Sequence, residues 1–204
     1  MDKLDSKTKT KEHFNAQAKE YDINKKFKYP RLHYKKLLDE IYKQKPLNNF
    51  LDVGCGTGIL LEYISNNNIF CYGIDLSENM INQARERLNN KTNLIVGDVE
   101  KMPYEDNLFD CICCSSSFHH YPNPLKSLNE INRVLKNGGR FILCDNNIIF
   151  PLRQIVNIII PYLNKGDVHI YGKNEIKKLF NNAGFIKIEY KIIPHYAFIC
   201  IGYK

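Results

Sequence analysis

The stretch Phe50-Leu51-Asp52-Val53-Gly54-Cys55-Gly56-Thr57-Gly58-Ile59-Leu60 constrains this chain more than any other. An apolar run ends in an acid, glycines then alternate with small residues, and an apolar helical pattern begins. This reads as a strand, a tight loop and a helix start. Glycine lets backbone approach a ligand closely because no Cβ intervenes. The spacing is G-x-G-x-G, so the third glycine comes one residue earlier than in the G-x-G-x-x-G loop that seats a pyrophosphate at a helix N-terminus. Asp52 would repel a pyrophosphate but can hold an ammonium group. The loop therefore suits a nucleoside ligand with an amino-acid tail.

The pattern around the loop alternates. Phe50–Val53 reads as a buried strand, followed by a helix from about Gly58 to Asn66. Ile69–Asp75 is a second strand, and Ser77 caps a helix that turns Met80, Ile81, Ala84 and Leu88 inward. Asn93–Asp98 and Phe109–Ser115 are further strands. A helix after Pro124 carries Leu125, Leu128, Ile131, Val134 and Leu135 on one face and is expected to stop at Asn137-Gly138-Gly139. Arg140–Asp145 is a fifth strand. Strands alternating with helices imply right-handed crossovers and a mostly parallel sheet. Phe185–Ile193 and Tyr196–Ile201 are joined only around Pro194-His195, too short a link for a parallel crossover, so they pair antiparallel. Upstream, Tyr34, Leu37, Leu38 and Ile41 form a helical stripe, while the first dozen residues are charged and expected to fray.

A length of 204 residues fits one globular unit with a substantial core. Residues 1–48 are expected to form an N-terminal helical cap and 49–204 the ligand-binding domain, with a lid insertion at about 148–170. The net charge of +7 is spread along the chain, with modest clusters at Lys7–Lys11 and Lys25–Lys28. A solvated lysine-rich surface accounts for it better than a nucleic-acid face, which concentrates its charge in a patch. Of the seven cysteines, Cys71, Cys111, Cys113, Cys144 and Cys200 sit in apolar strand-like runs, where a free thiol acts as a small hydrophobe. A reducing, cytoplasmic compartment follows. The polar N-terminus is unlike a secretory signal, and no apolar run is long enough to span a membrane. No sequence feature fixes an oligomeric state.

In an open parallel sheet, ligands lie beyond the carboxyl ends of the strands. Those ends here carry Asp52, Asp75, Asp98 and Ser115. Asp75 follows the glycine loop by about twenty residues, the spacing at which an acid accepts ribose hydroxyls. Asp98 can accept an exocyclic amine while the next backbone N–H, that of Val99, donates to a ring nitrogen; that pair would read adenine.

The order of these features resembles the class I S-adenosylmethionine-dependent methyltransferases. The matching stretches are LDVGCGTGILL (51–61), YGIDLSENMI (72–81), IVGDVEKMPY (95–104), FDCICCSSSFHHYPNP (109–124) and LKNGGRFILCD (135–145). The likeness is to the small-molecule branch that includes the ubiquinone and menaquinone C-methyltransferases. It implies a Rossmann-like α/β fold with seven strands, mostly parallel with an antiparallel last strand, and helices on both faces. It implies S-adenosyl-L-methionine as cofactor. The loop Gly54-Cys55-Gly56 with Gly58 would wrap the methionine portion, and Asp52 would hold its amino group, often through water. Asp75 would bind the ribose, Leu76 and Met80 would pack near adenine, Asp98 and Val99 would read its edge, and Ser115 would line the sulfonium end. Phe14…Ala18…Tyr21-Asp22 resembles an N-terminal motif whose tyrosine closes over the cofactor.

Methyl transfer is an in-line displacement, so alignment and exclusion of water can supply much of the acceleration. A general base is needed only when the acceptor arrives protonated. His119 and His120 follow the fourth strand, where the acceptor belongs, and are the candidate catalytic residues. Cys111-x-Cys113-Cys114 lacks the spacing of a zinc set, and adjacent strand residues face opposite sides, so no metal is expected. Ser115-Ser116-Ser117-Phe118 replaces the Asn/Asp-Pro-Pro-aromatic sequence of base N-methylases. That counts against base N-methylation without removing RNA or protein as acceptor, and the resemblance to the small-molecule branch implies a small-molecule acceptor. The isoleucine-rich segment 148–163 fits a cover over a hydrophobic acceptor or contact with a membrane surface, and equally a core helix bounded by prolines. Methylation of RNA or protein, aminopropyl transfer on the same fold, and cofactor binding without turnover are the alternatives.

Overall fold

Apolar strand runs bounded by acids, as in Phe50–Val53, are suited to a parallel sheet buried on both faces. A computed structural model describes residues 3–23, 30–64, 68–89, 92–163 and 166–204, and among them such a sheet organises the fold. Its strands are β1 (Asn49–Val53), β2 (Phe70–Asp75), β3 (Asn93–Val96), β4 (Phe109–Ser115), β5 (Leu135–Asn146), β6 (Ile186–Ile193) and β7 (Ala197–Tyr203). The spatial order is β3-β2-β1-β4-β5-β7-β6. Neighbours from β3 to β5 run parallel, and β7 runs antiparallel to both β5 and β6. The order reverses between β1 and β4, where a ligand crevice is expected.

Alternation of side chains along the strands feeds two cores. On one face Leu51, Val53, Ile112, Phe141 and Leu143 meet Leu128, Ile131 and Val134 of α5 (Pro124–Val134) and Ile176 and Phe180 of α7 (Lys173–Asn182). On the other, Phe50, Cys111, Cys113 and Ile142 meet α2 (Tyr34–Ile41), α3 (Ile59–Ile64) and α4 (Glu78–Leu88). All seven cysteines are free and buried. Ser77 caps α4 as expected, its hydroxyl accepting from Met80 N at 3.1 Å.

Three local expectations need correction or limits. The first residues do not fray: α1 spans Lys3–Gln17. It is held by polar groups rather than an apolar stripe, with Ser6 and Thr10 buried and Lys7 paired to Asp98 and Glu100. Second, Gly138-Gly139 does not end α5, which stops at Val134; β5 begins at Leu135, and the glycines lie in an irregularity where pairing jumps from Phe109↔Leu135 to Cys111↔Arg140. Gly138 has a φ of +78°, the left-handed region that favours glycine. Third, the cluster Lys25–Lys28 and the end of the helix expected at Asn66 lie outside the described residues. In the 148–163 segment, α6 (Leu152–Ile159) buries none of its side chains; Ile155, Ile158 and Ile159 are exposed, as are Ile149, Phe150 and Leu152.

Candidate functional site

At the carboxyl ends of β1, β2, β3 and β4 lies a cleft of about 1020 Å³, open to solvent. The loop after β1 forms its floor. Gly54 and Gly56 have φ of +71° and +52°, the left-handed region that favours glycine. A Cβ on Gly54 would sit 2.1 Å from Ser117 Oγ, so the loops after β1 and β4 can meet only because this position has no side chain. A Cβ on Gly56 would meet nothing within 4 Å: its backbone borders open space. Asp75 Oδ2 accepts from Gly56 N at 2.9 Å and Oδ1 from Ser77 N at 2.8 Å, with the Leu76 backbone as a further donor, which locks the acid to the loop. Burial raises the Asp75 carboxyl above its ordinary pKa against the pull of these hydrogen bonds. Asp52 is buried at 3% exposure beneath the loop and is not among the cleft-lining residues. Burial, then Asp75, push its pKa up to about 8.

Asp98 lines the cleft with both oxygens engaged, Oδ1 by Glu100 N at 2.9 Å and Oδ2 by Lys7 Nζ at 2.6 Å. Phe14 and Thr10 of α1 join Lys7 in the wall. Tyr21 stands at the cleft, edge-on to Phe14 at 6.2 Å. Its neighbour Asp22 is anchored by Thr57 Oγ1 at 2.9 Å and by Arg87 of α4.

The turn after β4 forms the far end. Ser115 Oγ is buried without a hydrogen-bond partner in a cleft-lining residue. His120 lines the cleft; His119 stands behind it with the ring centroids 4.1 Å apart. Asp145 at the end of β5 holds His119 twice, from Nδ1 to Oδ1 at 2.6 Å and from the backbone N to Oδ2 at 3.0 Å. Burial lowers the His119 pKa, but the Asp145 and Asp167 carboxylates outweigh it and hold it above the ordinary value. Burial, and then His119, hold His120 well below it.

A family model described as a methyltransferase domain matches residues 51–143. Demethylmenaquinone methyltransferase of Staphylococcus aureus is 30% identical over 180 residues, covering 76% of this chain and 75% of that protein. The chain belongs to the class I S-adenosylmethionine-dependent methyltransferases. A SAM-dependent methyltransferase from Aquifex aeolicus matches this methyltransferase in structure with a TM-score of 0.66 at 26% identity, over 83% of this chain and 88% of that one. One from Thermotoga maritima shares the fold, with a TM-score of 0.74 at 20% identity over 95% and 99%.

The methyltransferase's cofactor is S-adenosylmethionine. The residues present fit it: open space borders the Gly56 backbone, Ser115 lines the cleft with a buried hydroxyl that has no partner, and the Asp75 carboxylate lines the cleft beside the loop. Of the residues expected from sequence, Tyr21, Gly54, Cys55, Gly56, Asp75, Leu76, Met80, Asp98, Val99, Ser115 and His120 line the cleft together. Asp52, Gly58 and His119 do not. Gly58 instead packs on α4, where a Cβ would lie 3.0 Å from Ala84 Cβ. Sequence reasoning missed Lys7, Ser117, Tyr121, Asp145 and Asp167. Asp145 was legible as one more acid at a strand end; Lys7 and Asp167 carry no local signal.

Proposed function

We propose that this methyltransferase acts on a small-molecule acceptor that enters beside His120. The observation that carries the reading is the wall formed by α1: Lys7, Thr10 and Phe14 line the cleft together with the strand-end loops, which makes it a recess suited to small molecules. The likeness to the Staphylococcus aureus demethylmenaquinone methyltransferase supports the same class.

S-adenosylmethionine supplies a methyl carbon activated by a sulfonium. In this reading Asp75 accepts the ribose hydroxyls from the cleft wall. The Gly54-Cys55-Gly56 backbone follows the methionine portion, with Gly58 seating the loop on α4. Asp52 acts on the amino group from beneath the loop, through water. Leu76 and Met80 flank the adenine, the Val99 N–H faces its ring nitrogen, and Asp98 accepts its amine beside Lys7. Ser115 lies at the sulfonium end, and Tyr21 covers the site. His119 and His120 serve the acceptor's polar end, His120 from the cleft and His119 through the orientation that Asp145 imposes.

The cap of residues 1–48 and the segment at about 148–170 act as the cover of this site. The exposed apolar side chains of α6 suit a hydrophobic acceptor or a membrane surface from which it is drawn. No helix among the described residues is long and apolar enough to cross a membrane. Seven free thiols support a reducing, cytoplasmic setting.

The test is incubation with methyl-labelled cofactor and separate small-molecule, RNA and protein fractions of a cell extract. Label in the small-molecule fraction is expected. Label confined to RNA or protein would overturn the reading.

A further inference from the structure

His119 Nε2 and His120 Nδ1 each lie 3.4 Å from the same oxygen, Asp167 Oδ1. The three atoms all fall within 4.8 Å of one another. We propose that His119, His120 and Asp167 bind a divalent cation of the zinc class beside the methyl-transfer cleft, with a coordination position open toward the acceptor. What that open position takes rests on the function proposed above; the cation site itself does not.

The distances point to a metal. Tetrahedral zinc with bonds of roughly 2.0–2.1 Å sets neighbouring ligand atoms about 3.3–3.4 Å apart. Two of the three edges here have that length. A hydrogen bond is shorter and better aligned, and His120 Nδ1 is buried with no hydrogen-bond partner at all. The two residues are 7% and 8% exposed, so bulk water has little access to their polar atoms.

The tautomers suit ligation as well. His119 Nδ1–H donates to Asp145 at 2.6 Å, so Nε2 is the nitrogen that faces Asp167, and a metal entering there displaces its proton. A carboxylate behind a ligating histidine is the usual outer support of a metal site. The Gly166 carbonyl engages the His120 ring, and Nδ1 is the nitrogen left without a partner.

Asp167 is held in place from both sides. The Gly166 carbonyl accepts from Thr10 Oγ1 of α1 at 3.1 Å, and Val168 N donates to the His119 carbonyl at 2.8 Å. The donor set, two imidazoles and one carboxylate, matches zinc and related transition metals rather than calcium or magnesium, which prefer oxygen cages. Three protein ligands with a position to spare is the arrangement of a working site rather than a closed structural one. Because His120 lines the cleft, that position can orient an acceptor bearing a hydroxyl or similar oxygen donor.

The test uses the full chain without an affinity tag, stripped with chelator and titrated with Co²⁺. One equivalent should raise the visible absorption of tetrahedral cobalt, and Zn²⁺ should displace it. His120→Gln and Asp167→Asn should each weaken Co²⁺ binding by about tenfold or more, with His195→Gln in the β6–β7 hairpin as a control that binds like the unaltered chain. Affinity for S-adenosylhomocysteine is measured in parallel by calorimetry. Absence of a saturable cobalt band, an intense thiolate band marking the cysteines as ligands, or unaltered binding in both cluster variants would each overturn the proposal. If the chain binds S-adenosylhomocysteine but no cobalt, the metal site fails and the cofactor reading stands. If it binds cobalt through these residues but not S-adenosylhomocysteine, the reverse holds.

Discussion

Lys7 Nζ lies 2.6 Å from Asp98 Oδ2, joining the N-terminal helix to the loop after β3 in the wall of the cofactor cleft. The same ammonium reaches Glu100 Oε1 at 2.8 Å. Burial lowers the Lys7 pKa, but hydrogen bonds to the two acids outweigh it and hold it above its ordinary value. A helix with little apolar surface is thus moored to the core by charge, at a site shielded enough for the pairing to count. Lys7→Ala should release α1. Hydrogen exchange across residues 3–17 should quicken by about tenfold or more while the sheet stays protected. Unchanged exchange in α1 would show that other contacts hold it.

The two cleft glycines should respond differently to alanine. Gly54→Ala places a Cβ 2.1 Å from Ser117 Oγ at a φ of +71°, so it should both strain the loop and push the β4 turn away. A loss on the order of 2–3 kcal/mol in stability is expected, with cofactor binding abolished. Gly56→Ala meets no atom within 4 Å, so only its left-handed backbone resists, at about 1 kcal/mol. That variant should fold and yet bind S-adenosylhomocysteine weakly, because the added methyl enters the cleft. Denaturant titration and calorimetry on both variants check this. Equal losses of stability would contradict it.

Asp52 makes the free enzyme sensitive to pH. Its folded pKa of about 8 lies well above the unfolded value near 4. Between the two, the folded chain holds a proton that the unfolded chain has lost, so stability falls as pH rises from about 4 to about 8 and levels off above. Asp75 and the thiols of Cys55, Cys71 and Cys113 face this carboxyl; burial keeps the thiols neutral in this range. Asp52→Asn should therefore stabilise the cofactor-free protein, by on the order of a few kcal/mol near pH 8 and progressively less toward pH 5. Thermal unfolding across that range reads it. Parallel curves for the two proteins would contradict it.

On α6, Ile155 and Ile158 are 52% and 69% exposed in a helix that buries none of its side chains. Replacing both with serine should leave the fold and cofactor affinity intact while reducing liposome binding or turnover of an apolar acceptor several-fold. If neither changes, the segment is not the cover of the acceptor site.

Much of this architecture could be read before any coordinates. Parallel strands buried on both faces have to be short apolar runs, and Phe50–Val53 and Phe109–Ser115 announce themselves as such. The acids at the ends of two other strands, Asp75 of β2 and Asp98 just after β3, mark the cleft because ligands lie beyond the carboxyl ends of a parallel sheet. The helix α1 was illegible because its inward positions are Ser6, Lys7 and Thr10, whose partners lie on distant parts of the chain. Gly138-Gly139 misled because a glycine pair after a helical stripe signals a stop, whereas here it relieves a strand irregularity already under way. The pairing of His119 and His120 with Asp167 was hidden for the reason that hid Lys7: a loop aspartate has no periodicity to give it away. The depth of Asp52 also escaped, since strand alternation shows which face a residue takes but not whether a loop covers it.

The central claim is that adenosine with a sulfonium tail lies along the carboxyl rim of the sheet, anchored by Asp75 and the Gly54–Gly56 backbone. A crystal structure of the chain with S-adenosylhomocysteine tests it most directly. The account predicts ligand density from the glycine loop to Val99, with both ribose hydroxyls donating to Asp75. Density that leaves Asp75 without a ribose contact, or ligand bound away from this rim, would contradict it.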